Sequence, residues 1–272
     1  MSTLPMAPQV FSILSALISE RAGLHFDASH APIFGDKVAA RALEVGFDSL
    51  LEYYYYLRYD AGGGPELDLL IEQLVVGETY LFRELAPVEV AIARFVVPAI
   101  DKGRRARIWC AACATGEEPH TVAMLLASRG LLNEVDLIAS DISNAALQRA
   151  RSGRFGRRAL RGDVPAFAAR WVHPDADGVA VESRLTGAIQ WQRINLVEGA
   201  RWPDLGLFDV ILCRNVLIYF ADDTARRVVG NLTRHLRPGG ALLVGISESL
   251  LRFGTELRCE ERDGVFLYEK TS

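Results

Sequence analysis

The sequence predicts an α/β chain: a mostly parallel sheet with a small antiparallel insertion, preceded by an all-helical N-terminal domain. Three observations carry this. Apolar residues in the first 80 positions recur at helical spacing. From residue 105 onward, short apolar runs alternate with helical patterns, as strand–helix–strand crossovers of a parallel sheet do. Between them, residues 108–124 pass from a strand through nearly bare residues into a helix.

In order, residues 9–26 place Val10, Phe11, Leu14, Leu17 and Ile18 on one helical face, with Gly23 as the cap. A second helix is predicted over 36–45 and a third over 49–59, with Leu50, Leu51, Tyr54 and Leu57 inward. The four tyrosines 53–56 read as two packed and two exposed. Residues 61–65, Ala-Gly-Gly-Gly-Pro, read as a loop, and 66–76 as a fourth helix. The domains are thus 1–80, helical; 81–104, a linker helix with its apolar pattern at 88–100; and 105–272, the α/β domain. Within the last, strands are expected at 108–110, 135–141, 208–213 and 241–246. Helices follow at 119–126, 144–150 and 222–236. Residues 165–194 break the alternation. Val179-Ala180-Val181 and Ile189-Gln190-Trp191 read as short strands of an antiparallel insertion. Residues 256–261 and 265–269, joined by Arg262-Asp263-Gly264, close the chain as a hairpin, leaving one antiparallel strand at the sheet's edge.

The length of 272 residues and 50% hydrophobic content suit one large or two smaller domains. A net charge of −4 speaks against bulk attraction to nucleic acid, and no apolar run approaches a membrane span. Charge is uneven: residues 1–97 hold 6 basic against 13 acidic residues, and 98–272 hold 24 against 21. Three of the four cysteines, Cys110, Cys113, Cys213 and Cys259, lie in strand-like contexts, which suits a reducing cytoplasm. Cys110-x-x-Cys113 lacks a second pair at zinc spacing, so no metal is expected. Six arginines at 149, 151, 154, 157, 158 and 161 read either as a solvated helix end or as a docking patch for an acidic partner.

The turn after Cys110 is neither G-x-G-x-x-G nor a phosphate loop. Ala111 to Gly116 let a ligand approach the backbone closely, and Pro119 fits a helix's first turn. Glu117 and Glu118 at that helix start would repel a pyrophosphate. They suit a cationic nucleoside without phosphate, such as S-adenosylmethionine. Asp141, at the next strand's end, suits ribose hydroxyls or serves as a plain helix-terminal acid. Glu117, Asp141, Asn195 and Arg214/Asn215 all fall at or just past predicted strand ends, where ligands of such sheets bind. Thr79, in 77–84, can simply cap the following turn.

The chain resembles the CheR-type chemoreceptor glutamate methyltransferases. The matching stretches are E-T-x-x-F-R-E at 78–84, A-C-A-T-G-E-E-P at 112–119, S-D-I-S at 140–143, A-R-S-G-R-F at 150–155 and N-L at 195–196. F-D-V-I-L-C-R-N-V-L-I-Y-F at 208–220, L-R-P-G-G at 236–240 and S-E-S-L at 247–250 complete the set. The resemblance implies a Rossmann-like, S-adenosylmethionine-dependent methyltransferase sheet, with S-adenosylhomocysteine as product. It implies that Gly77, Thr79, Arg83, Glu117, Asp141, Asn195, Leu196, Arg214 and Asn215 line the cofactor, with Arg83 and Tyr219 nearest the transferred methyl. The expected partner is the cytoplasmic domain of a methyl-accepting chemoreceptor or similar signalling protein, met by a monomer without nucleic acid or membrane insertion. Family members can also dock a receptor tail peptide on the β-subdomain and an acidic receptor helix on a basic N-terminal helix.

The chain departs from the family in three places. Gly77 stands where the family usually has Asn. The helix at 37–45 has only Lys37 and Arg41 as bases. His120 replaces a frequent Tyr, a change expected to be without consequence. Glutamate, with a pKa near ~4.3, is ionised at neutral pH and needs no general base. The expected work is to align oxygen, methyl carbon and sulfur and to exclude water. Arg83 would clamp the methionine carboxylate or orient the incoming glutamate, and Tyr219 would hydrogen-bond the substrate and pack its ring beside the sulfonium. Two rival functions are a methyltransferase acting on a non-receptor protein and a non-catalytic module sensing S-adenosylmethionine. A nicotinamide oxidoreductase is set aside because its phosphate-binding turn is absent.

Overall fold

The structure, a computed structural model, describes residues 4–262 and 264–271. It divides into two units, residues 1–76 with 219–221, and residues 77–218 with 222–272. Among the described residues no helix is long and apolar enough to cross a membrane.

The first unit holds α1 (Pro8–Ala22), α2 (Ala31–Glu44), α3 (Leu50–Tyr59) and α4 (Gly63–Leu74). Leu14, Ile18, Phe34, Val38, Leu70 and Ile71 are buried between them. Gly23 ends α1 in the left-handed conformation, as its sequence position predicts. Two expectations need correction. The buried face of α3 is Leu50, Tyr53 and Leu57, while Leu51 is exposed and Tyr54 half-buried. A run of four tyrosines hides the helical phase, and a polar partner sets it: the Tyr53 hydroxyl donates to Glu66 Oε1 at 2.7 Å. The Gly-rich stretch at 61–65 is mostly helical, with Gly63 opening α4. A Cβ at Gly63 would collide with the Tyr56 and Leu57 carbonyls, so glycine lets α3 and α4 close up.

The second unit opens with α5 (Leu85–Ala91), a π-helical stretch (Ile92–Val96) and α6 (Val97–Asp101). Pro98 lacks an N–H, and the helix widens one turn before it. Residues 81–104 are no linker. Val88, Ala91, Ile92, Phe95, Val96 and Ala99 are buried in the same core as the sheet, packed on its later strands.

The sheet elements follow as β1 (Ala106–Ala111), α7 (Glu117–Ser128), β2 (Val135–Asp141), α8 (Asn144–Ser152), β3 (Arg154–Gly156), β4 (Val172–Asp175), β5 (Gly178–Val181) and α9 (Ser183–Gly187). Then come β6 (Ile189–Arg193), β7 (Phe208–Leu212), α10 (Asp222–Arg234), β8 (Leu236–Leu243), β9 (Arg258–Arg262) and β10 (Val265–Glu269). Seven strands form the main sheet in the order β6-β2-β1-β7-β8-β10-β9. The first five run parallel; β10 pairs antiparallel with both neighbours. The reversed strand is therefore second from the edge, with β9 covering it. Asp263 of the hairpin turn lies outside the described residues. One face carries α5, α6, α7 and α8 on Ile108, Cys110, Leu137, Val210 and Leu243. The other packs Trp109 against Trp202 and Phe208, with α10 beside β8.

The antiparallel insertion is present, but its strands are β3, β5 and β4. Ile189–Arg193, expected within it, is instead β6, the parallel edge of the main sheet. An edge strand with one wet face alternates apolar and polar residues just as an antiparallel strand does.

The N-terminal core is cross-linked by Glu66, which is 7% exposed and takes two hydrogen bonds from Arg41, at 2.7 and 2.6 Å. Glu66→Ala would remove Arg41's buried partner and leave it only the exposed Glu44 at 2.9 Å, and is expected to cost about 3 kcal/mol, the lower end of the range for breaking one side of a buried pair. Urea denaturation followed by tyrosine fluorescence measures it. Burial pushes the Glu66 carboxyl up, but the Arg41 and Tyr53 bonds bring it below the ordinary 4.5. Its contribution is therefore full above that pH and is lost as pH falls below it.

Candidate functional site

The strand order reverses direction between β1 and β7, and the register sets their carboxyl ends level. Ala111 pairs with Ser140, Asp141 with Arg193, and Cys110 with Leu212. Residues 112–117, 141–143, 194–196, 213–215 and 244–248 thus emerge from the same end of the sheet. A crevice at such a reversal is where open α/β sheets bind ligands.

The β1–α7 turn is built from left-handed residues: Ala112 (φ 58°), Ala114 (φ 47°) and Gly116 (φ 93°). Gly116 has a second constraint. A Cβ there would lie 2.6 Å from the Ala150 Cβ and 3.2 Å from the Trp191 ring. Two hydrogen bonds tie the turn to β2, from Cys113 N–H to the Ser140 carbonyl at 2.9 Å and from Ala114 N–H to Asp141 Oδ2 at 2.8 Å. Glu117 follows as the first residue of α7, 5% exposed, taking a hydrogen bond from the Thr115 hydroxyl at 2.7 Å. Burial pushes its carboxyl pKa up. A buried carboxylate with acceptor capacity to spare, beside a backbone stripped of side chains, fits the hydroxyls and amine of an adenosyl ligand. The paired acids at the helix start do not fit a pyrophosphate.

Asp141 is 8% exposed and acts first as a brace. Oδ2 holds Ala114, Oδ1 accepts from Ser143 N–H at 2.9 Å, and its carbonyl accepts from Ile194 N–H at 3.0 Å. Asn195 takes Val197 N–H on its side chain at 3.3 Å and Trp202 Nε1 on its carbonyl at 2.8 Å; Leu196 beside it is buried.

Arg214, two residues past β7, has a side chain only 3% exposed. It donates to Glu118 Oε2 and Glu84 Oε2, both at 3.0 Å, and to the carbonyls of Arg83 at 2.8 Å and Glu84 at 3.2 Å. Its Nε is buried without a protein acceptor. Arg214 therefore positions the 82–84 turn against α7. That turn is itself left-handed at Phe82 (φ 64°) and Glu84 (φ 45°). Thr79 is half-buried in the extended stretch before it, and Gly77 is exposed. Thr79 does not cap the next helix, whose N-cap is Glu84. Arg83 is partly exposed, with Nε 3.8 Å from Glu84 Oε1 and its guanidinium over the Tyr80 ring. Tyr219 ends the 3-10 turn Leu217–Tyr219 and belongs to the first unit, where its carbonyl accepts from His25 N–H. The structure thus gathers Glu117, Asp141, Asn195, Leu196, Arg214 and Asn215 at one end of the sheet, with Arg83 tied to them through Arg214. It does not gather Cys110 and Cys113 into a cluster with other metal-ligating groups among the described residues. Burial pushes both thiols up.

Three site residues escaped sequence reasoning, Glu84, Glu248 and His120, while Glu118, read with Glu117 toward the ligand, is engaged by Arg214 instead. The carboxylate of Glu248 accepts from Asn215 N–H and Gly245 N–H at 2.7 Å, Leu217 N–H at 2.8 Å and Ile218 N–H at 3.3 Å. It clamps the loops after β7 and β8 together and fixes Asn215 at φ 59°. The signal was an acid just past a predicted strand end, within S-E-S-L. His120, expected to be inconsequential, is fully buried. Nδ1 lies 2.7 Å from the Gly116 carbonyl, so it carries the proton, and Nε2 accepts from the Thr186 hydroxyl at 3.0 Å.

A family model described as "CheR methyltransferase, SAM binding domain" matches residues 77–265. The chain is 32% identical over 242 residues to chemotaxis protein methyltransferase 2 of Vibrio cholerae, covering 87% of this chain and 84% of that one. It is 29% identical over 251 residues to chemotaxis protein methyltransferase 1 of Pseudomonas aeruginosa, covering 88% and 90%. It is 35% identical over 243 residues to the probable biofilm formation methyltransferase WspC of Pseudomonas aeruginosa, covering 86% of this chain and 56% of that longer one.

Burial holds the His120 pKa down at about 4, from an ordinary 6.5. The unfolded chain therefore binds a proton that the folded chain refuses between those values, and stability falls as pH drops through that window. The loss amounts to roughly 3 kcal/mol. His120→Phe is expected to flatten the stability profile between pH 6.5 and 4, as read by urea denaturation at successive pH values.

Proposed function

The chain belongs to the CheR methyltransferase family, and from that premise we propose that it methylates glutamate side-chain carboxylates of a methyl-accepting chemoreceptor or a similar signalling protein, giving glutamate methyl esters. It is an S-adenosylmethionine-dependent methyltransferase. The observation that carries the proposal is the buried Glu117 carboxylate at the end of the left-handed Ala112–Gly116 turn, with Asp141 beside it. This is a site for a cationic nucleoside at the sheet's reversal point.

S-adenosylmethionine supplies the methyl group when bound. In the proposed arrangement Glu117 accepts from the adenosyl moiety's polar hydrogens, and Asp141 does so with the acceptor capacity its bracing role leaves. Asn195 and Leu196 close the site from the β6 side. Asn215, held by Glu248, and Thr79 contribute from the other loops. Arg83 is the more exposed cation of the group. Arg214 is held by two acids, while Arg83, only 3.8 Å from Glu84 but 30% exposed, is the one placed to clamp a carboxylate. Tyr219 is the second residue assigned to the methyl-transfer step, packing beside the sulfonium. No proton need be removed from an already ionised glutamate. The neutral His120, with both ring nitrogens engaged, is a structural group and not a base. The proposed location is the cytoplasm, where the four free cysteines stay reduced.

The similarity to WspC favours one second reading, in which the methylated receptor-like protein serves biofilm formation.

Calorimetric titration with S-adenosylmethionine and S-adenosylhomocysteine tests the cofactor site. Micromolar binding is expected, weakened by about tenfold or more in Asp141→Ala, where ligand and brace are lost together. Arg83→Ala is expected to keep binding and lose transfer of a base-labile methyl label to receptor protein. Tight binding with no base-labile label on any glutamate would falsify the proposed reaction and leave a sensing module. A Cβ at Gly77 meets nothing within 4 Å, so Gly77→Asn is accommodated. If the family's usual Asn bonds the ligand, this variant binds S-adenosylhomocysteine more tightly; unchanged affinity assigns that Asn no such bond here.

A further inference from the structure

Residues 149–193 carry nine arginines against four acidic residues, a local balance of +5 in a chain of net charge −4. Arg149 and Arg151 close α8, where the negative helix end accounts for them. Arg157 and Arg158 have no such reason. They stand exposed on the 3-10 turn Arg157–Ala159 and have no acidic partner among the described residues. This turn runs beside the site. Leu81 N–H donates to the Ala159 carbonyl at 2.8 Å, binding the 77–84 segment to it. Arg161 pairs with Glu78 and lies 4.4 Å from the centroid of the Tyr80 ring, over which Arg83 also lies at 5.6 Å. Guanidinium groups therefore follow one another from Arg157 and Arg158 to Arg161, which is paired with Glu78, and across the Tyr80 ring to Arg83.

We propose that this arginine strip docks acidic side chains flanking the target glutamate of a polypeptide substrate, holding the flanks while the target carboxylate reaches Arg83. The inference rests on the reading that the chain methylates glutamate. Guanidinium groups recognise carboxylates with paired, directional hydrogen bonds. An exposed pair with no internal partner has both guanidinium groups available for this. An extended polyanion such as duplex DNA or an anionic membrane would also meet the chain's net negative charge. A short acidic stretch of polypeptide would not.

The test is fluorescence anisotropy of two labelled peptides with the full chain, read without methyl transfer. One peptide carries a central glutamate between acidic flanks; the other has glutamine in the flanks. The parent is expected to bind the acidic peptide about tenfold more tightly, with the difference shrinking as salt is added. Arg157→Glu with Arg158→Glu is expected to abolish the preference. Arg157→Lys with Arg158→Lys is expected to keep most of it. All variants should retain the parent's affinity for S-adenosylhomocysteine. Equal binding of the two peptides overturns the proposal. So does a preference that survives charge reversal, a reversal that also costs cofactor affinity, or tighter binding to phosphatidylserine vesicles or duplex DNA than to the acidic peptide. Failure of the glutamate-methylation reading would show separately, as a peptide that binds but acquires no base-labile label.

Discussion

The site depends on one buried cation. Arg214 joins three segments that are far apart in the chain: the turn at Arg83–Glu84, the start of α7 at Glu118, and the end of β7. Two acids and two carbonyls surround one guanidinium. The Coulomb gain and the hydrogen bonds offset a desolvation cost that either acid alone would not. Burial raises the Glu118 carboxyl pKa, while the Arg214 bonds hold Glu84 below its usual value despite its own burial. Because Glu84 also accepts from Ile246 N–H at 3.2 Å, the same cation reaches the loop after β8.

Backbone strain is concentrated at the same place. Five non-glycine residues among those described have left-handed backbones: Phe82, Glu84, Ala112, Ala114 and Asn215. All lie in loops at this end of the sheet. Each such conformation costs of order 1 kcal/mol or more. Asp141, Arg214 and Glu248 are the groups that hold them, each bonding to the backbone or side chain of a strained segment. The three polar residues thus do structural work whatever else they touch.

The legible part of this was local. The 108–124 turn could be read because small residues, Pro119 and an apolar helix face stand in uninterrupted order. The strand ends leading to Glu117, Asp141 and Asn215 followed from the alternation. What stayed hidden was set by partners distant in the chain. Tyr53 was inward because of Glu66, not because of the hydropathy of a tyrosine run. His120 looked incidental because Thr186, its second partner, is 66 residues away. Glu248 bonds only backbone amides, which carry no signal in side-chain identity. Ile189–Arg193 was misplaced because an edge strand and a hairpin strand share one alternation.

The small antiparallel module has a further property in how it is spliced into the sheet. Val181 N–H, at its exit, donates to the Gly153 carbonyl at its entry at 2.8 Å. The chain leaves the parent architecture and returns to it at almost one point. The segment between is consequently a cassette. Its outer surface can change while β2 and β6 keep their pairing, provided that Phe155, Trp171 and Val181 keep their places in the shared core.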